Sequence, residues 1–502
     1  MKFEGFIGPS YNLPDKSIDA QRLVNMYLEI VESGKGKEEQ LAFFKNTAGL
    51  EKLFDVGSGP FRLIHLDGLE SDDGSYFQLD RIFIVSGPEV YRLYYDRTAG
   101  WNKLLLGTLG TSSGPVSAAS SDQSYGATVF VDGSSENYVY SKTGTSTETF
   151  QTFTAAGYSP VARAHQVVWI DGYFVFIVKN SNTFYVSGWN TLSVSALDFA
   201  TAEGNPDSIV SVVTNNRNLW MMNKRTIEIY VNTGNADFPF ERVQGGFIEN
   251  GCLAAFSVAK INGVVIWLGR DEKGRGIVNA ASGANHQRIS THAIEQAIKG
   301  YSDVESATAY AYQDGGHYFY VLNFAEATWC YDLSTKTWHE RAYLNGSTLQ
   351  RHRVECHAFF PYLGIHLVGD YQNGILYKFN DAKNTDNGDE IKRLRSFPHI
   401  SKESKFLFHK MLHIDMKTGV GLDGDISQLG YDPKIMMRYS DDDCRTWSNT
   451  REASLGKLAK NLTRVIWRRL GKSRNRVYEI SMTDPVDCII SSANIEVEVG
   501  KS

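Results

Sequence analysis

The stretch Asp314–Arg341, DGGHYFYVLNFAEATWCYDLSTKTWHER, alternates strand-forming runs with turn residues. Asp314-Gly315-Gly316 offers the positive φ that a tight hairpin turn requires. His317–Leu322 is a run of aromatic and β-branched residues, and Thr328–Tyr331 is a second. Asp332-Leu333-Ser334-Thr335 then turns the chain toward Trp338. The stretch therefore reads as strand, turn, strand.

Versions of this unit recur on both sides of it. Arg81–Ser86 with Val90–Tyr95, Thr128–Val131 with Asn137–Tyr140, and Gln166–Ile170 with Tyr173–Val178 each flank a Gly turn. Leu219–Met222, Val264–Leu268 and Ile365–Val368 follow comparable turns further on. The anchors Gly87, Gly133, Gly172, Asn216, Gly263, Gly315 and Gly364 lie 46, 39, 44, 47, 52 and 49 residues apart. A period of roughly 40–50 residues is that of four-stranded propeller blades. A single blade cannot bury both of its faces, whereas blades packed around an axis bury one another. The expected fold is all-β: a β-propeller of six to seven blades over 61–399, with an N-terminal arm (1–60) and a C-terminal β-rich domain (400–502). A pair of β-sandwiches is the competing fold, but it gives no reason for a steady period.

Outside the repeats, Arg22–Val31 is an amphipathic run compatible with a strand or a short helix, and Ser33–Gln40 is a polar loop tip. Ser290-Thr291 can cap a helix over His292–Lys299 that ends at Gly300, with Ala293, Ile294 and Ala297 as its packing face. Residues 400–502 read either as a small sandwich or as strands that complete the ring together with the N-terminal arm.

Composition narrows the function classes. Aromatic residues reach 12% and Gly numbers 45, which suits strands and tight turns. A net charge of −6 disfavours a protein that wraps nucleic acid, though it allows a surface that DNA slides past. The five cysteines, Cys252, Cys330, Cys356, Cys444 and Cys488, are odd in number and contain no CxxC, so neither a disulfide framework nor a cysteine zinc site is expected. No signal-peptide core and no membrane-length apolar run occurs.

Candidate chemistry is sparse. Ser440–Trp447, SDDDCRTW, resembles the Asp-box of sialidases and other propellers, with Cys444 in the place of its Gly; that motif shapes a hairpin and does no chemistry. Asp441, Asp442 and Asp443 suggest a cation site, yet neighbours on a strand point to opposite faces. His352, Cys356 and His357 are metal-capable without an evident third ligand in the same geometry. His317, Cys330, Asp332 and His339 cluster in the opening stretch but are not repeated elsewhere and have no convergent partner in the sequence. No GxSxG, HExxH or P-loop occurs. Catalytic, cofactor-binding and metal residues are therefore all expected to be none. One stretch is densely basic: Lys457–Arg476 holds eight Lys or Arg. It reads as a solvated strand pair, a contact for an acidic partner subunit, or a DNA contact.

The ends of the chain carry a resemblance. Arg22-Leu23-Val24-Asn25-Met26-Tyr27-Leu28-Glu29, Asn46-Thr47-Ala48-Gly49-Leu50, Gly59-Pro60-Phe61-Arg62, Phe83–Gly87 with Tyr91-Arg92, and Arg476–Pro485 resemble the packaged-DNA stabilisation proteins of short-tailed bacteriophages. Ala48 departs from the pattern, which has Pro before the Gly. The resemblance spans nearly the whole chain. It implies a structural virion protein and no enzyme: a tail hub or nozzle, forming a ring expected to be hexameric below the portal and adaptor. Such a ring closes the channel, retains packaged DNA, serves as the ejection conduit for double-stranded DNA without sequence-specific binding, and carries tail fibres or spikes and a needle or plug. The resemblance also places the protein in the virion tail after assembly in the host cytoplasm. Two other readings compete: a carbohydrate-binding or glycosidase-like propeller, from the Asp-box likeness and the aromatic content, and a kelch-type scaffold, from Tyr331–Trp338. Residues 1–60 and 400–502, which distinguish this chain from other propellers, are where function is expected to lie.

Overall fold

The computed structural model describes residues 2–31, 42–67, 81–121, 126–143, 147–153, 161, 163–195, 197–202 and 207–500. The loop tip expected at Ser33–Gln40 lies outside them.

Among the described residues, seven four-stranded antiparallel units follow one another around a ring. Blade 1 begins at Phe61–Leu66, blade 2 at Ser117–Ser120, blade 3 at Ala164–Ile170 and blade 4 at Ile209–Asn215. Blade 5 begins at Ala259–Ile261, blade 6 at Thr308–Asp314 and blade 7 at Val354–Phe360. Each seam between neighbours is an apolar cluster. Phe83, Val85, Phe130 and Tyr140 close blades 1 and 2, and Phe61, Ile84, Phe360 and Leu367 close blades 7 and 1. This closed circuit, with a cluster at every seam, removes the competing fold of paired sandwiches.

All seven turn anchors have positive φ, from 51° at Asn216 to 93° at Gly172. They do not all mark the same hairpin. Gly87 and Gly133 join the second and third strands of their blades, whereas the other five join the first and second. This change of phase accounts for the short interval of 39 residues between Gly133 and Gly172. A left-handed turn forms equally well at either end of a blade, so glycine alone does not say which end.

The ring closes through the N-terminal arm. Gly49–Asp55 is the outer strand of blade 7, antiparallel to Ile375–Asn380. The arm expected over residues 1–60 is therefore not a separate unit. Gly49 suits this seam by size: a Cβ there would lie 2.4 Å from the Thr385 carbonyl oxygen. Ala48, in the place of Pro, is buried in the apolar cluster between blades 6 and 7.

Beyond the ring lies a sandwich. One of its sheets contains Met26–Ile30, Ala42–Asn46, Ile490–Val499, Leu407–Met416 and Val465–Arg468. The other contains Leu23–Val24, Arg393–Ser396, Asn475–Met482, Lys434–Ser440 and Arg451–Ser454. Phe6, Phe44, Leu412, Trp467, Tyr478 and Ile480 are buried in its core. The N-terminal segment thus feeds both sheets, and the strands of 400–502 complete the sandwich while the arm alone completes the ring. Leu23–Val24 also runs parallel to the outer strand of blade 6, at Val24 against Glu340. Blade 6 and one sheet of the sandwich are consequently a single eleven-stranded sheet.

Arg22–Val31 forms strands and no helix, because Asn25 at φ 54° breaks the run in two. The helix His292–Lys299 occurs between blades 5 and 6, capped by Thr291 and ended at Gly300, with Ala293, Ile294 and Ile298 buried. Ala297 packs half-buried against the same cluster, and Ile298 adds a fully buried residue to that face.

Candidate functional site: the junction and the basic ridge

The residues singled out in the sequence fall into separate places. His317 and Asp332 meet, with Nδ1 2.7 Å from the carboxylate, and the other ring nitrogen lies 3.2 Å from Glu29 of the N-terminal strand. The expectation that His317 lacks partners is thus corrected: Glu29 is remote in sequence and arrives only through the fold. Burial opposes protonation of His317, but the hydrogen bond and charge of Asp332 and the charge of Glu29 outweigh it, so its pKa is raised. Asp332 is pushed up by burial and pulled down further by His317 and Thr335, with a net lowering. Its carboxylate also accepts from the Ser334 backbone N–H at 2.9 Å, which fixes the turn of Tyr331–Trp338. Cys330 and His339 pair across the next two strands but belong to the interior. Burial raises the Cys330 thiol and lowers His339 to about 3. A thiol held protonated is no nucleophile.

The three aspartates diverge. Asp441 pairs with Arg476 at 2.6 Å, Asp442 accepts from the backbone N–H of Thr446 at 2.8 Å, and Asp443 accepts from Asn475 at 3.0 Å. The hydroxyl and N–H of Thr446 bring Asp442 down to about 2. This hairpin joins Lys434–Ser440 to Arg451–Ser454, so the Asp-box likeness sits on the sandwich and not on a blade. Cys444, in the place of Gly, has φ 62°.

In the seventh blade His357 and His366 stack with nitrogens 2.9 Å apart. His352 sits 3.3 Å from the Arg341 guanidinium instead, and Cys356 packs against the cluster between blades 7 and 1. Among the described residues, no group of three metal-capable side chains converges.

The propeller axis is interrupted. A cavity of ≈ 630 Å³ at one mouth is bordered by His165, Lys179, Arg270 and Phe256. Phe256 also borders a cavity of ≈ 170 Å³ among the first strands of blades 1, 6 and 7. Beside it, the Ala255 carbonyl accepts from Gln166 of blade 3 and Ser211 of blade 4, both at 2.8 Å. The segment joining blades 4 and 5 therefore occupies the axis.

The motifs at the chain ends act as staples. Arg22 makes a two-pronged contact with Glu340, at 3.0 and 2.6 Å. The side-chain amide of Asn25 donates to Ala342 and Lys392 carbonyls at 2.8 and 2.9 Å, and its oxygen accepts from the Ala342 N–H at 2.9 Å. The side chain thus stands in for a strand residue just where the backbone turns from one sheet to the other. Arg395, fully buried, donates to Phe6 and Pro9 carbonyls at 2.9 and 3.1 Å and to Gln21 at 2.7 Å. Burial brings Arg395 down to about 9. Arg62 donates to Gly87 and Thr111 carbonyls at 2.9 and 2.7 Å, joining the Gly59–Arg62 motif to the first anchor turn. None of these contacts could be read from local sequence, because the partners lie from 25 to 389 positions away along the chain.

The basic stretch lies on one edge of the sandwich. Arg476 is buried against Asp441 and stacks on Tyr439 at 3.8 Å. The remaining seven cations, from Lys457 to Arg474, make no ion pair among the described residues. Lys472 and Arg474 lie over Phe406 at 4.9 and 4.5 Å. Leu458 and Leu462 stand among these cations in water, Leu462 at 97% exposure.

A seven-bladed propeller tied by its own N-terminus to a sandwich, with buried polar groups used as staples, defines a scaffold protein of the propeller–sandwich class. The chain belongs to the bacteriophage P22 Gp10 family: the family described as Bacteriophage P22 Gp10, beta-propeller matches residues 17–384, and that described as Bacteriophage P22 Gp10, beta-sandwich matches residues 392–498. It is a structural protein of a phage tail, located in the virion. No curated protein matches the chain significantly. No helix among the described residues is long and apolar enough to cross a membrane.

Proposed function

We propose that the chain is the subunit of a tail hub or nozzle: a homo-oligomeric, hexameric ring below the portal and adaptor. In this role it closes the channel, retains the packaged genome and conducts it on ejection, and it presents attachment sites for fibres or spikes and for a needle or plug. It acts without catalysis. The observation that carries this reading is the continuous sheet from blade 6 into the sandwich. A single hydrogen-bonded sheet across two units resists hinge motion, as a load-bearing ring under pressure from packaged DNA requires. The occupied propeller axis adds a constraint. Duplex DNA passes outside the individual propeller, in a lumen built by several copies. A mildly acidic chain, at net charge −6, would not hold DNA in that lumen.

The test is genetic depletion of this protein during phage growth. Heads are expected to package DNA and then lose it, with recovery when purified protein is added back to the particles. Particles that retain their DNA and infect normally without it would overturn the reading. The Asp-box-like hairpin sits on the sandwich, which removes one of the two supports of the carbohydrate alternative.

A further inference from the structure

Two ends of the molecule are chemically complementary. In a circuit of seven blades, the point opposite blade 6 is the seam between blades 2 and 3. The sandwich grows outward from blade 6, because its sheet continues that blade's outer strand. The sandwich, which carries the basic ridge, and blade 3 therefore lie on opposite sides of the ring.

The ridge holds eight cations and no acidic residue over 457–476, in a chain of net charge −6, so the remainder carries −14. Among the described residues over 111–207, blades 2 and 3 hold six acidic side chains and three basic ones, with Glu148 and Asp171 paired to Arg92 and Arg217. Each end also exposes large apolar side chains. At the ridge, Leu458 and Leu462 are joined by Ile426 and Leu429 from a loop that is bonded to the ridge loop, the Ala459 N–H donating to the Gly419 carbonyl at 3.1 Å. On blade 3, Trp189 and Leu197 rise from the connection to the outer strand, at 66% and 84% exposure, and Phe199 lies on that strand. Exposed apolar groups ringed by charge mark protein interfaces. DNA phosphates would use the cations but not the leucines. A guard against edge pairing explains a few charges on an edge strand, but not seven unpaired cations together with exposed leucines.

We propose that the basic ridge of one subunit docks on the blade 3 rim of a second copy of the same chain, head to tail. The inference rests on the ring reading above and assigns the two faces of its contact. A heterologous contact of this kind is directional, so two differently altered copies can complement each other.

The experiment uses two full-length variants. The first carries Lys460→Glu, Arg464→Glu and Arg468→Glu; the second carries Leu197→Lys and Asp198→Lys. Association is followed by native mass spectrometry and sedimentation at low salt, and melting curves verify that each variant folds. Wild type is expected to self-associate. Each variant alone should lose association by at least about tenfold, and the equimolar mixture should regain it. The wild-type contact should weaken as salt rises. Wild type that stays monomeric at its solubility limit overturns the proposal while leaving the genome-retention test untouched. Unchanged association of the variants, or a mixture that fails to recover, also overturns it. Binding of a duplex oligonucleotide that the first variant abolishes, without any self-association, would assign the ridge to DNA instead.

Discussion

Between blades 1 and 2 the buried groups are Phe83, Val85, Phe130 and Tyr140; between blade 6 and the N-terminal segment they include Asn25, His317 and Arg395, with Arg22 half-buried at the edge. The first kind of seam is repetitive and apolar. Its stabilisation grows with buried area, at about 25 cal/mol per Å², and tolerates exchange among similar shapes. The second kind occurs once and is polar. Each guanidinium or amide there bonds several groups from segments far apart in sequence, so removing one leaves several orphans in the interior. The blades hold one another by amount, and the junction by position. A tail scaffold has use for both: a stiff ring, and one orientation of the sandwich relative to it.

The largest expected effect follows from Arg395. It makes no ion pair among the described residues and is held by carbonyls of Phe6 and Pro9, by Gln21, and by the face of Phe44 at 5.3 Å. Arg395→Ala should cost about 4 kcal/mol or more in chemical unfolding, because it empties a fully buried site and leaves the buried Phe6 carbonyl without a donor. Arg395→Lys should recover little, since an ammonium cannot reach the same set of acceptors from one plane. Phe130→Leu, at a blade seam, is expected to cost only about 1–2 kcal/mol. If Arg395→Ala costs less than the Phe130 change, the two regions do not differ in the way described.

This contrast also explains what was legible in the sequence. The blades repeat, and each repeat announces itself through a turn residue that must have positive φ; all seven anchors obey. The strands around them follow from β-branched and aromatic runs. The junction has no such local mark. Arg22 and Glu340 are 318 positions apart, and Glu29 meets His317 only because the N-terminal strand lies against blade 6. The family resemblance at the chain ends pointed to the right residues, Arg22, Asn25, Gly49 and Arg62, without giving the reason for them. That reason is long-range hydrogen bonding and, at Gly49, a backbone approach that no Cβ permits. The basic ridge was visible as composition, but the exposure of Leu458 and Leu462 beside it was not.

A smaller effect is expected at His317, where the junction is titratable. Its folded pKa is raised by Asp332 and Glu29 against the opposing effect of burial. The stability it adds is fully present below the unfolded value of about 6.5 and is lost as pH rises through the higher folded value. Asp332, lowered on balance by its hydrogen bonds from His317 and Thr335, contributes stability above the unfolded carboxylate value of about 3.9 and loses it as pH falls through the folded one. Wild-type unfolding free energy should therefore decline on the alkaline side of about pH 6.5, and His317→Gln should flatten that decline while costing about 2–3 kcal/mol below it. A variant that keeps the full alkaline decline would move the titrating group elsewhere. Tyr27, edge-on to His317 at 5.0 Å, has its own pKa raised by burial and by Glu29, so it stays neutral across this range.

The smallest effect is expected at the hairpin of Ser440–Trp447, where one residue departs from the Asp-box pattern and nothing else does. Asp442 keeps its bonds to Thr446, and Ser440 accepts from the Cys444 N–H at 3.0 Å, so the turn forms as it would with Gly. Cys444 nevertheless has φ 62°, a left-handed conformation that costs a side-chain-bearing residue about 1–2 kcal/mol. Glycine removes that cost but widens the unfolded ensemble by about 0.4–1 kcal/mol. Cys444→Gly should thus stabilise the sandwich slightly, by up to about 1 kcal/mol, and leave the propeller unaffected. Thermal unfolding checks the sign. A loss of stability would mean that the half-buried thiol, whose pKa burial raises to about 11, packs usefully against its neighbours. The hairpin would then join the junction as a region held by the position of single side chains.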